Sequence, residues 1–397
     1  MRVLFSSLDG SGHFHPLVPT AKALQKAGHE VAFAVPASLQ AVVEANGFRT
    51  FTAGIGFETL LTKVLGLSVE DMLQRQAAML DRISDEQREM MAGMFIDGFA
   101  RQRLPELVAI CEHFQPDLLV AESMEFAAGL VGEKLGIPHA TIQVGGMLLS
   151  DSGPEYFAQR MDVVRAGFGL PSDAGMEWPY RYLHLSFMPR NYFARTLPPS
   201  TRYLRAEVFD RSGSEVLPEW VSTLGGRPLV YATLGTAFNK LTHHLNTIAT
   251  GVQQEPVDLI LTVGRDLDPS VLGPRPANVH VERYIPQSLL LPRCDLAILH
   301  GGYSSVMSAL YAGVPSLIVP LGADQPMNAE ASARIGMSRV VRPTQLTPEF
   351  IRQQVREMLA DTSSRERVRR LQAEVQALPG VEHGVELLER LARDKTL

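Results

Sequence analysis

Short apolar runs alternate with longer amphipathic segments along most of the chain. In the first third, the apolar runs predict strands over Arg2 to Leu8 and Glu30 to Val35. The segment between them predicts a helix from about His15 to Ala27, which ends before Gly28 as helices commonly do. This order of strand and helix predicts an α/β domain with a doubly wound parallel sheet.

The alternation begins again after residues 197–214, a stretch rich in Pro, Gly and Ser that is typical of a linker. The length of 397 residues agrees with two domains of about 200 residues each. We therefore predict two Rossmann-like domains, residues 1–210 and 211–397, which face each other across a cleft. The strands predicted for the second domain are Leu229 to Leu234, Val257 to Val263, Val279 to Val281, Asp295 to Leu299 and Ser316 to Pro320.

Residues 57–100 interrupt this alternation. They predict helices that carry many methionine and phenylalanine side chains, among them Phe57, Met90 and Met94. Methionine-rich helices usually fill irregular gaps in a core, but they also form adaptable walls around bulky apolar ligands. The pattern leaves both interpretations open.

Charge and cysteine content exclude several classes of partner. The net charge of −6 gives no electrostatic reason to expect nucleic acid or an anionic membrane. Cys111 and Cys294 lack the spacing of metal ligands, so neither a disulfide framework nor a zinc site is expected. No signal-like segment and no apolar run near the ~18 residues of a membrane helix is present, so we expect a soluble cytoplasmic protein.

The most informative stretch begins where the predicted strand Asp295 to Leu299 runs into His300, Gly301 and Gly302. A helix from Tyr303 to Ala312 follows. This arrangement predicts a phosphate site, because the free backbone N–H groups and the positive end of a helix dipole meet at one point. A plain connection between strand and helix is the alternative.

A polar pair, Asp324 and Gln325, follows the next predicted strand, Ser316 to Pro320. Open α/β sheets bind ligands at the carboxyl ends of their strands, where this pair is expected to lie. A phosphate turn beside side chains suited to sugar hydroxyls indicates a nucleotide sugar as the ligand.

The block from His300 to Gln325 resembles the donor-binding signature of the UDP-glycosyltransferase superfamily. It is most similar to the bacterial branch that decorates antibiotics and other natural products. Three further motifs occur in the expected order: Gly12 to Leu17 resembles the family's catalytic turn, Tyr231 to Phe238 its phosphate-side loop, and Tyr284 to Gln287 its base-binding segment. The resemblance implies inverting glycosyl transfer on the GT-B fold, without a metal.

The resemblance also implies roles for individual residues of the second domain. Tyr284 would stack on the nucleotide base. Ser304 and Ser305 stand where the family more often has Gly-Thr, but a hydroxyl and a backbone amide remain at each position. The residues implied in donor binding are Thr236, Tyr284, Ile285, Gln287, His300, Gly302, Ser304, Ser305, Ser308, Asp324 and Gln325.

In the first domain, the resemblance implies that His13 is the catalytic base. An imidazole with a pKa near 6.5 can accept a proton from a hydroxyl at neutral pH. A carboxylate partner makes it a better base because it orients the ring and stabilises the imidazolium. The family usually supplies an Asp, and the matching residue here is Glu122, whose side chain is longer. Ser123 or a water molecule would be the substitutes.

Two expectations concern the substrates. An acceptor wall of Phe57, Met90, Met94, Phe126 and Met147 predicts a hydrophobic aglycone of the aromatic or polyketide type, such as a macrolide or an enediyne. Many UDP-sugar enzymes carry a Glu where this chain has Ser308, and its absence favours a dTDP-activated deoxysugar, with a UDP-sugar as the alternative. No further cofactor is expected, and homodimerisation stays open.

Other functions would share parts of this sequence pattern. A nucleotide-sugar 2-epimerase and a non-catalytic partner protein would share the architecture. Gly10-Ser11-Gly12 begins like a dinucleotide fingerprint of an oxidoreductase, but His15 occupies the place of the third glycine. Asp266-Leu267-Asp268 resembles a metal-binding pair, although its Pro-rich surroundings favour a solvated turn.

Overall fold

The structure, a computed structural model, describes residues 1–64, 66, 85–146, 153–210, 215–236 and 238–396. These residues group into two compact units by their contacts. The first unit consists of the described residues before Asp210 together with those after Ala377, and the second runs from Asp210 to Ala377. No helix among the described residues is long and apolar enough to cross a membrane.

The first unit is built on a parallel sheet of seven strands in the order β3-β2-β1-β4-β5-β6-β7. The order reverses between β1 and β4, which pair directly with Ser6 opposite Ala121. Such a reversal opens a crevice at the carboxyl ends of the two strands, where α/β proteins bind ligands. The strands are β1 (Arg2–Ser6), β2 (Glu30–Val35), β3 (Arg49–Thr52), β4 (Leu118–Glu122), β5 (His139–Ile142), β6 (Leu183–Ser186) and β7 (Thr201–Tyr203).

Helices connect these strands. Within residues 57–100, residues 57–64 and 85–100 are helical, as predicted, and they include π-helical turns over Leu60–Val64 and Gly93–Ala100. The α-helices before residue 210 are α1 (Ser11–Phe14), α2 (Val18–Lys26), α3 (Ala37–Ala45), α4 (Phe57–Thr59), α5 (Asp85–Ala92), α6 (Arg101–Phe114), α7 (Ala127–Leu135) and α8 (Gly153–Gly167).

The second unit repeats the plan with six parallel strands in the order β10-β9-β8-β11-β12-β13. The reversal lies between β8 and β11, with Thr233 opposite Leu299. The strands are β8 (Leu229–Thr233), β9 (Asp258–Thr262), β10 (Val279–Glu282), β11 (Leu296–Leu299), β12 (Ser316–Ile318) and β13 (Ser338–Val340). The helices are α9 (Thr242–Val252), α10 (Gln287–Leu290), α11 (Tyr303–Ala312), α12 (Gln325–Arg334), α13 (Pro348–Ala360) and α14 (Thr362–Gln376).

The C-terminal part of the chain returns to the first unit, which the predicted boundaries did not anticipate. Helix α15 (Val381–Asp394) packs its buried residues Val385, Leu388 and Leu391 on this unit, chiefly against α2. Nε2 of His29 lies 2.8 Å from the carboxylate of Glu389. An amphipathic pattern carries no information about which sheet a helix will cover.

The turn after β1 also differs from the prediction. The chain becomes helical at Ser11, four residues before the predicted start, so that His13 lies within α1. Gly10 makes this possible because its φ of 101° turns the chain directly after β1. The backbone N–H groups of His13 and Phe14 both donate to the Gly10 carbonyl.

Candidate active site

His13 and Glu122 meet at the reversal point of the first sheet. His13 follows β1 and Glu122 ends β4, and these strands are direct neighbours. Nδ1 of His13 lies 2.9 Å from Oε1 of Glu122, with the histidine side chain 29% exposed and the carboxylate side chain fully buried. An ionised carboxylate only accepts hydrogen bonds, so it places the imidazole proton on Nδ1 and makes Nε2 the unprotonated nitrogen.

The longer side chain of glutamate fits this position because its second oxygen is also bound. Oε2 of Glu122 accepts a hydrogen bond of 2.7 Å from the backbone N–H of Met124. The Ser123 hydroxyl instead donates to the carbonyl of Val144 and accepts from its N–H, which ties the end of β4 to the segment after β5. Glu122 is therefore the partner of His13, and the contact predicted from the sequence is present.

The predicted phosphate turn has the expected form. Gly301 adopts a φ of 90°, and α11 starts at Tyr303 with no side chain capping its first turn. Within the described part of the chain, Nδ1 of His300 and the hydroxyl of Ser304 are buried without a hydrogen-bond partner. Buried polar atoms are almost always paired, so these two mark a place where a ligand would supply the missing acceptor or donor.

Two glycines lie against the ring of His300. A Cβ atom at Gly235, in the loop after β8, would be 2.6 Å from the ring, and one at Gly302 would be 2.5 Å from it. Burial also lowers the pKa of His300 to about 4. Without a ligand the imidazole is thus neutral at physiological pH, and its N–H can donate to a phosphate oxygen.

The base-binding segment is anchored from several sides. The Tyr284 hydroxyl donates to the backbone carbonyl of Asp210, and the guanidinium of Arg265 lies 3.8 Å from the centre of the tyrosine ring. One face of this ring is therefore covered, and a base would use the other face or displace Arg265. Gln287 donates to the Ser305 hydroxyl at 3.3 Å, which joins this segment to α11.

The remaining predicted donor residues differ in exposure. Thr236 is exposed, whereas Ile285 belongs to the core. The Ser308 hydroxyl donates to the carbonyl of Ser304 within α11.

The polar pair at the start of α12 is largely engaged within the protein. Asp324 accepts a hydrogen bond from Asn328, and Gln325 is buried with its side-chain oxygen bound to the N–H of Leu321. The structure thus places the pair beside the phosphate turn, because Asn328 also donates to the carbonyl of Gly301.

The predicted acceptor residues fall into two groups. Phe57 and Met94 are half-buried and Met90 is exposed, so these three retain accessible surface. Phe126 is 1% exposed and packs against Phe157 and Trp178, so it supports the aromatic core. Met147 lies outside the described residues.

A buried ion pair beside the dyad of His13 and Glu122 was missed by the sequence analysis. Arg103 of α6 and Glu125, three residues after Glu122, are both about 1% exposed at their side chains, and their closest charged atoms are 3.6 Å apart. The available signal was weak, since it consists of a charged residue on an amphipathic helix and a second acidic residue in the turn after a strand.

The two competing motifs take up structural roles. The Gly10-Ser11-Gly12 turn opens a helix of only four residues. Asp268 accepts a hydrogen bond from the N–H of Ser270 and lies 2.7 Å from Arg283, as expected of a solvated turn.

Comparison with protein families gives a match in each half. A family model described as "Erythromycin biosynthesis protein CIII-like, N-terminal domain" matches residues 22–167. The corresponding C-terminal domain model matches residues 253–391. Together the two models cover most of the chain.

Individual relatives match over nearly the full length. The 4'-demethylrebeccamycin synthase of Lentzea aerocolonigenes is 30% identical over 98% of this chain and 99% of its own. Tylactone mycaminosyltransferase of Streptomyces fradiae is 25% identical over 98% of this chain and 92% of its own. Among solved structures, the spinosyn forosaminyltransferase SpnP has a TM-score of 0.76 and 25% identity, and the match covers 99% of each chain.

Proposed function

Because the chain belongs to the erythromycin biosynthesis protein CIII-like family of glycosyltransferases, we propose that it is an inverting enzyme acting on a dTDP-sugar and a hydrophobic natural-product aglycone. Its two parallel-sheet units have the GT-B fold of the solved glycosyltransferases. The family resemblance inferred from the four motifs is thereby confirmed. One relative is named for mycaminosyl transfer to tylactone, which supports an aglycone of this kind.

The contact between His13 and Glu122 carries the proposal. Nε2 of His13 accepts the proton of an acceptor hydroxyl, and the buried carboxylate of Glu122 stabilises the imidazolium that results. The acceptor oxygen then forms a bond to the anomeric carbon while the bond from that carbon to the diphosphate breaks. Attack from the face opposite the leaving group inverts the configuration.

The leaving diphosphate gains negative charge, and the second unit has the groups to meet it. The first turn of α11 offers uncapped N–H groups, His300 is a neutral donor, and the Ser304 hydroxyl is unpaired among the described residues. Donors fixed in place before the reaction are usually the largest source of transition-state stabilisation.

The choice of a dTDP-activated deoxysugar rests on Ser308. This position of α11 carries no carboxylate to hold ribose hydroxyls, and the serine hydroxyl is already bound to the Ser304 carbonyl. In a site without a charged hydrogen bond to the ribose 2′-OH, UDP loses about 1.5–3 kcal/mol of binding free energy. A deoxyribose has no 2′-OH and therefore loses none.

Replacement of His13 tests the catalytic assignment. His13→Ala should lower turnover by roughly 10²–10⁴ and leave donor affinity nearly unchanged, since general-base catalysis contributes on that order. Product formation is followed by mass spectrometry with an aromatic or polyketide acceptor, and His15→Ala serves as the neighbouring-histidine control. Turnover that survives in His13→Ala would refute the assignment, and isomerisation of the donor without an acceptor would point to an epimerase.

The donor assignment has a separate test. With one acceptor, kcat/KM for dTDP-glucose should exceed that for UDP-glucose by roughly tenfold or more, which corresponds to the hydrogen bond that UDP would lose. Ser308→Glu should narrow this ratio. A preference of the unaltered enzyme for UDP-glucose would overturn the dTDP proposal and leave glycosyl transfer intact.

A further inference from the structure

Arg103 links the two strand ends that carry the dyad. Its guanidinium is buried, and Nη1 donates to the Ser6 hydroxyl at 3.2 Å and to the Ser7 carbonyl at 2.9 Å, both at the carboxyl end of β1. The same nitrogen lies 3.6 Å from Oε1 of Glu125, which follows β4. The guanidinium also fits closely against Gly54, where a Cβ atom would be 2.6 Å from Nε.

Glu125 belongs to the same turn as the dyad carboxylate. Its N–H donates to the carbonyl of Glu122 at 3.0 Å. Its two oxygens accept hydrogen bonds from the N–H groups of Ala127 and Ala128, so it caps the start of α7. Two buried carboxylates therefore stand three residues apart, and Arg103 is the cation beside them.

The four side chains of this cluster, His13, Arg103, Glu122 and Glu125, have a net charge of zero only when His13 carries a proton. With both carboxyl groups ionised and the guanidinium protonated, Glu122 and Glu125 each contribute −1 and Arg103 contributes +1, so one negative charge is uncompensated while His13 is neutral. Charges buried in a protein interior interact far more strongly than they do in water. We propose that Arg103 and Glu125 are positioning residues that act through Glu122 to set how readily His13 accepts the proton of the acceptor hydroxyl.

This proposal rests on the proposed function, in which His13 is the base. Burial disfavours both charges of the pair, so it raises the pKa of Glu125 and lowers the pKa of Arg103, while their mutual attraction opposes both changes. Removing one partner of a buried pair leaves the other charge uncompensated. Substitution of Arg103 and substitution of Glu125 should consequently move the proton affinity of His13 in opposite directions.

Other titratable groups around the cluster do not remove its net charge. Asp9 and Glu106 face Arg103, but Asp9 is half-buried and Glu106 is exposed, so solvent screens both. Burial raises the pKa of Tyr180 and lowers the pKa of His139, which keeps both neutral near pH 7. His15 packs its ring edge against Phe209, and Arg195 faces Tyr180.

The test measures the proton affinity of His13 directly and through catalysis. In Arg103→Met the added negative field should raise the pKa of His13 by about one pH unit, and in Glu125→Gln the lost negative charge should lower it by a similar amount. Histidines labelled with ¹³C at Cε1 report this value by NMR in the ligand-free protein, with His13→Ala identifying the signal. The acid limb of kcat/KM should shift in the same two directions.

A second buried Arg–Glu pair is the matched control. Arg165 and Glu133 lie 2.8 Å apart near the other end of α7, where Glu133 also contacts Arg181. Arg165→Met should lower stability but leave the His13 titration and the acid limb where they are. If Arg103→Met fails to fold, Glu125→Gln is compared with Arg103→Lys: Glu125→Gln should still lower the pKa of His13, whereas Arg103→Lys retains the charge and should leave that pKa nearly unchanged.

The outcomes separate this inference from the proposed function. Shifts of opposite sign in the two variants support the charge cluster. Shifts of the same sign, or an unmoved His13 signal, overturn it even when His13→Ala is inactive. Full turnover in His13→Ala would instead refute the proposed function, whatever the NMR titration shows.

Discussion

At the scale of single residues, the clearest constraint is the space around His300. The backbone of Gly235 and of Gly302 lies so close to the ring that a Cβ atom at either position would clash with it. Gly235 also needs its φ of 76°, but Gly302 has a φ of −59° that any residue can adopt. Substitution at Gly302 therefore tests the close approach without adding backbone strain.

Gly302→Ala should push the His300 ring from its place and lower kcat/KM by about 10²-fold, since a displacement near 1 Å at a catalytic group has effects of this size. Steady-state kinetics with varied donor measures the loss. Gly226→Ala, at a glycine with open space around it, is the control and should behave like the unaltered enzyme. Unchanged donor kinetics in Gly302→Ala would contradict a role for His300 at the diphosphate.

At the scale of elements, the sequence predicted those with strong local signals. Strand β2 and helix α11 have the predicted bounds, because an uninterrupted apolar run defines the first and Gly313 in the left-handed conformation ends the second. Strands β6, β7 and β13 were missed, since they are short and two of them contain His184 or Arg202 among few apolar residues. The partner of α15 depends on tertiary packing, which no local pattern encodes.

The packing of α15 gives a prediction about stability. Leu388 is fully buried, so Leu388→Ala should lower the free energy of unfolding of the first unit by about 2–5 kcal/mol. Urea titration followed by tryptophan fluorescence measures this in a Trp220→Phe background, where Trp178 reports on the first unit alone. Glu386→Ala, at an exposed side chain of the same helix, should change stability by less than about 0.5 kcal/mol. Equal effects of the two substitutions would contradict the packing described.

At the scale of the whole molecule, both units place their chemistry at the same topological position. His13 follows β1 and Glu122 ends β4, and Gly235 and His300 follow β8 and β11. Each motif could therefore be predicted from the strand before it. The ion pair of Arg103 could not, because α6 reaches β1 and β4 only through packing.

Neutral histidines in both units make the stability of the protein depend on pH. Burial lowers the pKa of His184 to about 3 and that of His300 to about 4, below the ordinary value of 6.5. The unfolded chain thus binds more protons, and the stability present above pH 6.5 should be lost as the pH falls toward 4. Urea titrations across this range measure the loss. His184→Gln should reduce the slope by up to about 1.4 kcal/mol per pH unit, and an unchanged slope would contradict a neutral His184.

The return of α15 to the first unit also affects how the protein is made. The ribosome completes residues 210–377 before it reaches this helix, and synthesis of this segment at about 5–20 residues per second takes roughly 8 to 34 seconds. During that time the apolar surface of α2 that α15 covers is exposed on the nascent chain. A hybrid enzyme joined at residue 210 would moreover receive its closing helix from the wrong parent, so residues 378–397 should be transferred together with the first unit.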